Sequence, residues 1–382
     1  MADWQTVSLG DALTFQRGFD ITKDEQRDGP YPVISSSGPK TTHAEFKVRG
    51  PGVIIGRKGS LGTVFYSDSD YWPHDTTLWI KDFHDNHPRF AYYFLQTMGF
   101  ERLDAGASNP SLNRNHIHTI PVRFPPLPVQ RRIAGILSAY DELMENSQRR
   151  IRLLEAMARA LYREWFVHFR FPGHEKHPRV ASPLGDIPQG WEVKKLGDLI
   201  SYNRRATKPG PHLDERRYVP IDCLPSKSLA LLEAKPIEEA QSSLQLFEKG
   251  DILFGAMRPY FHKVVVAPFA GVTRTTCFVF KPARPEWHAF AMMTAFEEAT
   301  VAYANAHSQG ATIPYAVWDG SLSEMPLVLP PDALLRRFEK AVAPMLARIS
   351  QSFFALNNLR RTRDLLLPRL LSGQVELKTE AA

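Results

Sequence analysis

The feature that most constrains this chain is that it repeats itself. The segment Trp4-Gln5-Thr6-Val7-Ser8-Leu9-Gly10-Asp11 returns 187 positions later as Trp191-Glu192-Val193-Lys194-Lys195-Leu196-Gly197-Asp198, both in the frame W-x4-L-G-D. Further along, Pro121, Pro125, Pro126, Arg131 and Arg132 return 205 positions later as Pro326, Pro330, Pro331, Arg336 and Arg337. A period near 200 residues is a duplicated domain and not a solenoid, whose repeats are several times shorter. The two offsets differ, so the second copy carries a longer variable region between fixed ends. In 382 residues there is room for two such domains with proper cores.

Each Pro-Pro pair is followed by a long helical pattern. In the first copy a seam with 3-4 spacing runs Ile133, Leu137, Tyr140, Met144, Ser147, Ile151, Leu154, Ala158, Leu161, Trp165. The shift of 205 gives Phe338, Val342, Met345, Ile349, Ser352, Leu356, Leu359, Arg363, Leu366, Leu370. Such spacing is the a/d seam of a coiled coil. A shared register makes the two seams partners for each other, and an antiparallel pairing would bring the Ser147 and Ser352 layers together near the middle. Pro344 interrupts the second seam: a proline inside a helix removes a hydrogen bond and clashes with the preceding turn, so a break is expected near Ala343. Pro368 should distort or end the helix near Leu367, with Gly373 as a natural stop.

The remainder is mixed and strand-rich. Gly52–Arg57 and Gly250–Gly255 each read as a turn feeding a short buried strand, and Val264–Val266 and Thr276–Phe280 as further strands. Residues 83–103 and 286–306 read as helical. The expected division is a first domain over 1–126, a helix over 127–168, a connector over 169–187, a second domain over 188–330, a second helix over 331–373 and a tail over 374–382.

The chemistry expected of an enzyme is hard to find. There is no GxxxxGK[ST] to cradle phosphates. Nor is there a glycine-rich cofactor loop with an Asn/Asp-Pro-Pro-aromatic motif; Phe124-Pro125-Pro126-Leu127 lacks the amide that would hold a target amino group. Asp222 with Glu233-Ala234-Lys235 has a nuclease-like spacing of carboxylates and lysine, a pattern common by chance in charged chains. His174-Glu175-Lys176-His177 is one residue short of HExxH, so no metal site is expected. Cys223 and Cys277 read as small buried apolar residues. Few cysteines, the absence of a basic-then-apolar leader and the absence of a long apolar run point to a cytoplasmic protein. A formal net charge of +6 is compatible with a polyanionic partner.

The motifs resemble those of one family, the specificity subunits of type I restriction–modification systems. Gly185-Asp186-Ile187-Pro188-Gln189-Gly190-Trp191 followed by Leu196-Gly197-Asp198 resembles the opening of a target-recognition domain in that family. Phe124-Pro125-Pro126-Leu127 with Gln130-Arg131-Arg132-Ile133-Ala134 resembles the start of its central spacer helix. Leu365-Leu366-Leu367-Pro368-Arg369-Leu370-Leu371-Ser372-Gly373 resembles the end of its distal one. The first copy lacks the I-P-x-G lead into Trp4, and Leu335 stands where Gln130 would predict glutamine.

The resemblance implies an α+β protein: two α/β target-recognition domains separated by a pair of long antiparallel coiled-coil helices, with a pseudo-twofold internal repeat. Each domain would read one half of a gapped site in double-stranded DNA. The helices would act as a ruler of about 50 Å and dock two methyltransferase subunits, with restriction subunits completing the complex. S-adenosylmethionine, ATP and magnesium would belong to those partners, the chain itself being non-catalytic. Loop cations and amides are the candidate DNA contacts: Arg57, Lys58, Asn113, Arg114 and Asn115 in the first domain, and Arg258, Lys263 and Arg274 in the second. The rival readings are a stand-alone sequence-specific DNA-binding protein and a metal-dependent nuclease using Asp222, Glu233 and Lys235.

Overall fold

The computed structural model describes residues 4–102 and 111–375, which form two compact units, one from each end of the chain and one from its middle. The first comprises residues up to Leu143 together with those from Arg360 onward; the second runs from Met144 to Leu359. Both divisions fall inside the long helices, so each unit contains a stretch of both.

In the first unit the strands Gln5–Ser8 and Pro121–Phe124 pair antiparallel and close the domain end to end. Its main sheet has the order Thr14–Arg17, Thr77–Asp82, Gly52–Gly56, Val64–Ser67. A smaller sheet joins Tyr31–Ser35 to Gly38–His43 antiparallel and to Trp72–Pro73 parallel. The strand Gly52–Gly56 is buried along its whole length, as an apolar run flanked by glycines suggests. Its core joins Phe15, Val53, Ile55 and Leu78 to Phe90 and Phe94 of the helix Pro88–Gln96.

The second unit repeats this plan. Glu192–Lys195 pairs with Pro326–Leu329, and the main sheet has the order Ile200–Tyr202, Cys277–Pro282, Ile252–Gly255, Val264–Val266. The extra length of the second copy goes partly into its other sheet, which gains the strand Leu244–Phe247. The expected helix over 286–306 is two helices, His288–Phe296 and Glu298–Ala306, because Glu297 is extended (ψ 143°). Likewise only Pro88–Gln96 and a 3-10 turn at Phe100–Arg102 are helical between 83 and 102.

The repeated W-x4-L-G-D frame has a local physical cause in each copy. Leu9 and Leu196 are fully buried at the start of one helical turn. A Cβ on Gly10 would sit 2.9 Å from the His118 side chain, and one on Gly197 3.2 Å from the Ser323 carbonyl. Asp11 bonds the Ser8 hydroxyl at 2.6 Å, and Asp198 accepts from the Lys195 backbone N–H at 2.9 Å, so the acid secures the start of the turn.

The first long helix is Leu127–Tyr162, extended by a π-turn over Arg163–Val167; the second is Asp332–Leu371. In the second unit Tyr162 and Phe166 pack on Phe338, the end of one helix against the beginning of the other. In the first unit Asp141 pairs with Arg363 at 2.8 Å, and Leu370 and Leu371 pack in the core with Ile133 and Leu137. The helices therefore run antiparallel within each unit.

The break expected near Ala343 does not occur: the second helix continues through both Pro344 and Pro368. Pro344 lies on the exposed face, where water can satisfy the carbonyl that loses its partner, and Val342 and Leu346 anchor the helix on either side. The proline costs about 3 kcal/mol, and each buried large aliphatic side chain returns about 1.5–3 kcal/mol. Pro368 is likewise exposed while Leu370 and Leu371 are buried, so the helix runs on to Leu371, and Gly373 just beyond its end is left-handed (φ 74°).

Candidate nucleic-acid interface

Two strand ends and a helix start converge in the first unit. Arg17 ends the strand Thr14–Arg17, Arg57 follows Gly52–Gly56, and Asn113 caps the short helix Arg114–His118. The Leu112 N–H donates to the Arg57 carbonyl at 2.9 Å, and Lys58 bridges to Ser111, which draws the segments together. Arg17, Arg57, Asn113 and Arg114 thereby line an open cleft of about 430 Å³, with Leu78, Ser111 and Leu112 as its remaining wall.

The cleft is electropositive. Arg17 is held by Asp75 at 2.9 Å, and an Nη of Arg57 points to the Asp75 carbonyl at 3.5 Å. Burial, together with the neighbouring Arg17 charge, lowers the pKa of Arg57, with Asp75 opposing. An arginine remains charged under such a shift, and a half-desolvated guanidinium beside another cation gains most from an added anion or carbonyl edge. Asn113 spends its side-chain oxygen on the Asn115 N–H at 3.0 Å; Arg114 and Asn115 are exposed.

Of the expected first-domain residues, the structure brings Arg57, Asn113 and Arg114 to one cleft, with Lys58 at its edge through Ser111. Arg17 was missed. Its position depends on pairing with Leu78 across the sheet, which no local motif announces.

The second unit uses the same backbone frame with different side chains. Gly56 N–H donates to the Thr63 carbonyl and Gly255 N–H to that of Lys263; Arg57 N–H donates to the Thr76 carbonyl and Ala256 N–H to that of Thr276. Leu112 N–H meets the Arg57 carbonyl, and Ala316 N–H that of Ala256. Ala256, which is buried, therefore holds the place of Arg57. Arg258 lies beyond it in a left-handed conformation (φ 51°), Lys263 donates from Nζ to the Ile221 carbonyl at 2.9 Å, and Arg274 is exposed at the end of Gly271–Arg274. Lys263 is thus engaged by the protein itself.

All ten seam residues of the first helix are buried or half-buried, and so are those of the second. Leu137, Met144, Ile151, Val342, Ile349 and Leu356 are buried; Leu154, Leu161, Leu359 and Leu366 are partly so. Ser352 donates to the Arg348 carbonyl of its own helix. Glu155 and Phe166, outside the expected seam, are also buried.

Residues Asp222, Glu233 and Lys235 are exposed, and Lys235 pairs with Glu239 at 2.9 Å. Among the described residues the group of potential metal ligands is a different one, Asp20, His74 and Asp75, in which Asp75 is already paired with Arg17. Cys223 and Cys277 are buried free thiols, and burial pushes that of Cys277 up to about 11. Among the described residues no helix is long and apolar enough to cross a membrane.

Comparison with known proteins agrees with this architecture. Residues 1–156 match the type I restriction modification DNA specificity domain. The type I restriction enzyme MjaIX specificity subunit of Methanocaldococcus jannaschii is 24% identical over 309 residues, covering 76% of this chain and 69% of the relative. The MjaVIII specificity subunit of the same organism is 24% identical over 215 residues, 52% of this chain and 49% of that one. A solved type I restriction-modification S subunit from M. genitalium shares the fold with a TM-score of 0.64 at 16% identity, covering 97% of this chain and 96% of its own. Residues 1–156 thus match the DNA specificity domain of type I restriction–modification systems, and over three quarters of its length the chain is similar to a type I specificity subunit, a kind of protein whose fold class it shares.

Proposed function

We propose that the chain gives a type I restriction–modification complex its DNA sequence specificity, each unit reading one half of a bipartite, gapped site. The observation that carries this reading is the duplicated frame with unlike side chains: Arg57 in one copy, Ala256 in the other. A scaffold held constant while the reading residues change is what two different half-sites require. The cleft of Arg17, Arg57 and Arg114 suits guanine edges and phosphates, because a guanidinium pairs bidentately with guanine O6 and N7.

In this reading the helices set the gap and dock two methyltransferase subunits, with restriction subunits completing the nuclease. Exposed apolar side chains on the helices, Leu153 and Met157 on the first and Phe354 on the second, support a docking role. S-adenosylmethionine, ATP and magnesium belong to the partners, and the chain performs no chemistry of its own. The test is co-purification with a methyltransferase subunit of a type I system from the same genome. A stable complex that methylates adenine in duplex DNA, with neither methylation nor magnesium-dependent cleavage by the isolated chain, is the expected result.

A further inference from the structure

The loop Arg258–His262 of the second unit is bent at unusual cost and pinned at both ends. Arg258 (φ 51°) and His262 (φ 52°) are both left-handed, a conformation non-glycine residues rarely adopt and one that gathers at ligand-binding elements. The Arg258 N–H donates to the Pro314 carbonyl at 2.7 Å, and the Lys227 N–H to that of His262 at 2.8 Å. The His262 ring is buried, its Nε2 lying 2.8 Å from the Phe296 carbonyl.

What this rigid loop presents is apolar. Tyr260 and Phe261 stand at its tip, 51% and 44% exposed, their ring centroids 4.7 Å apart. The facing segment, bridged through Met257 and Tyr315, adds exposed Ile313 and Tyr315. Arg258 and the exposed Lys227 supply positive charge beside the patch. Lys58 bridges to Ser111 in the first unit as Met257 does to Tyr315 in the second, so these are the same two loops. One pair carries guanidinium groups and the other aromatic rings.

We infer that this aromatic loop pair reads A·T base pairs through the thymine C5-methyl group, with Arg258 and Lys227 on the flanking phosphates. The inference rests on the proposed role in DNA recognition. The thymine methyl is the apolar feature that base edges offer in the major groove, and it is matched by apolar side chains and not by cations. Preordering the loop spares the complex the entropy of arranging two large side chains on binding.

The test uses the complex with its methyltransferase and duplexes carrying the mapped methylation site. Thymines are replaced by deoxyuridine in one half at a time, which removes only the methyl groups. In one half, affinity should fall roughly fourfold for each contacted methyl. In Tyr260→Ser/Phe261→Ser the difference between thymine and uracil should vanish in that half alone. Ile313→Ser, on the separate segment, should reduce it. Indifference of the unaltered complex to deoxyuridine in both halves overturns the inference while leaving the recognition role intact. A complex that methylates without sequence preference overturns both.

Discussion

Glu155 on the first long helix accepts a hydrogen bond from the Ser228 hydroxyl at 2.7 Å, and the same carboxylate oxygen lies 2.8 Å and 3.2 Å from the backbone N–H groups of Leu229 and Ala230. The carboxylate is buried, which raises its pKa against the opposing pull of these donors. One helical side chain thus fastens a loop of the second unit to its own stretch of helix. Glu155→Ala would leave the buried Leu229 N–H without its acceptor and the Ala230 N–H with the Ser228 hydroxyl at 3.3 Å, and should cost about 1–3 kcal/mol. Urea unfolding with an unchanged slope is the measurement. Glu155→Gln keeps an acceptor and should lose less.

The seam can be separated from the outer helix surface. Leu356 is fully buried, and Leu356→Ala should cost about 2–5 kcal/mol in denaturant unfolding. Leu153 is 59% exposed, so Leu153→Ala should leave stability within about 0.5 kcal/mol. Sedimentation with the methyltransferase should nevertheless show weaker association for Leu153→Ala. Equal destabilisation by both substitutions would contradict the packing described.

Acid should weaken the second unit through His262. Its pKa is lowered first of all by burial, with Arg159 and Lys227 acting in the same direction and the Phe296 carbonyl and Glu298 against. A depressed folded pKa means that protons bind the unfolded chain better. The stabilisation is full above the ordinary histidine value of about 6.5 and is lost as pH falls toward the lower folded value. Melting temperature measured between neutral and mildly acidic pH should fall more steeply for the unaltered chain than for His262→Gln.

In the basic cleft, Arg57 and Arg114 should differ in kind. Arg57 is held by its surroundings, so Arg57→Ala should relax preference at one base pair of one half-site by about 1–3 kcal/mol. Arg57→Lys, which lacks the planar fork, should not restore it. Arg114 is exposed, and Arg114→Ala should weaken binding to all sequences and lower the salt slope by about one. Binding isotherms at several salt concentrations distinguish the two.

What could be read from the sequence was what local chemistry decides. Leu9 and Leu196 fill the core, Gly10 and Gly197 allow close approach, and Asp11 and Asp198 secure a turn, so the repeat was visible in the letters. The helix seam was visible for the same reason, since its spacing is the burial pattern itself. Pro344 misled because local propensity predicts a break there, whereas packing of Val342 and Leu346 keeps the helix intact. Arg17 and the substitution of Ala256 for Arg57 depend on sheet register and loop hydrogen bonds between distant segments, which the sequence does not display.

The most direct test of two readers on one chain is to map methylated adenines genome-wide in cells expressing this chain with its methyltransferase. The account predicts one motif of two defined half-sites separated by a fixed, unspecified gap, with Arg57→Ala relaxing only one half. A continuous, ungapped motif, or relaxation of both halves together, would contradict it.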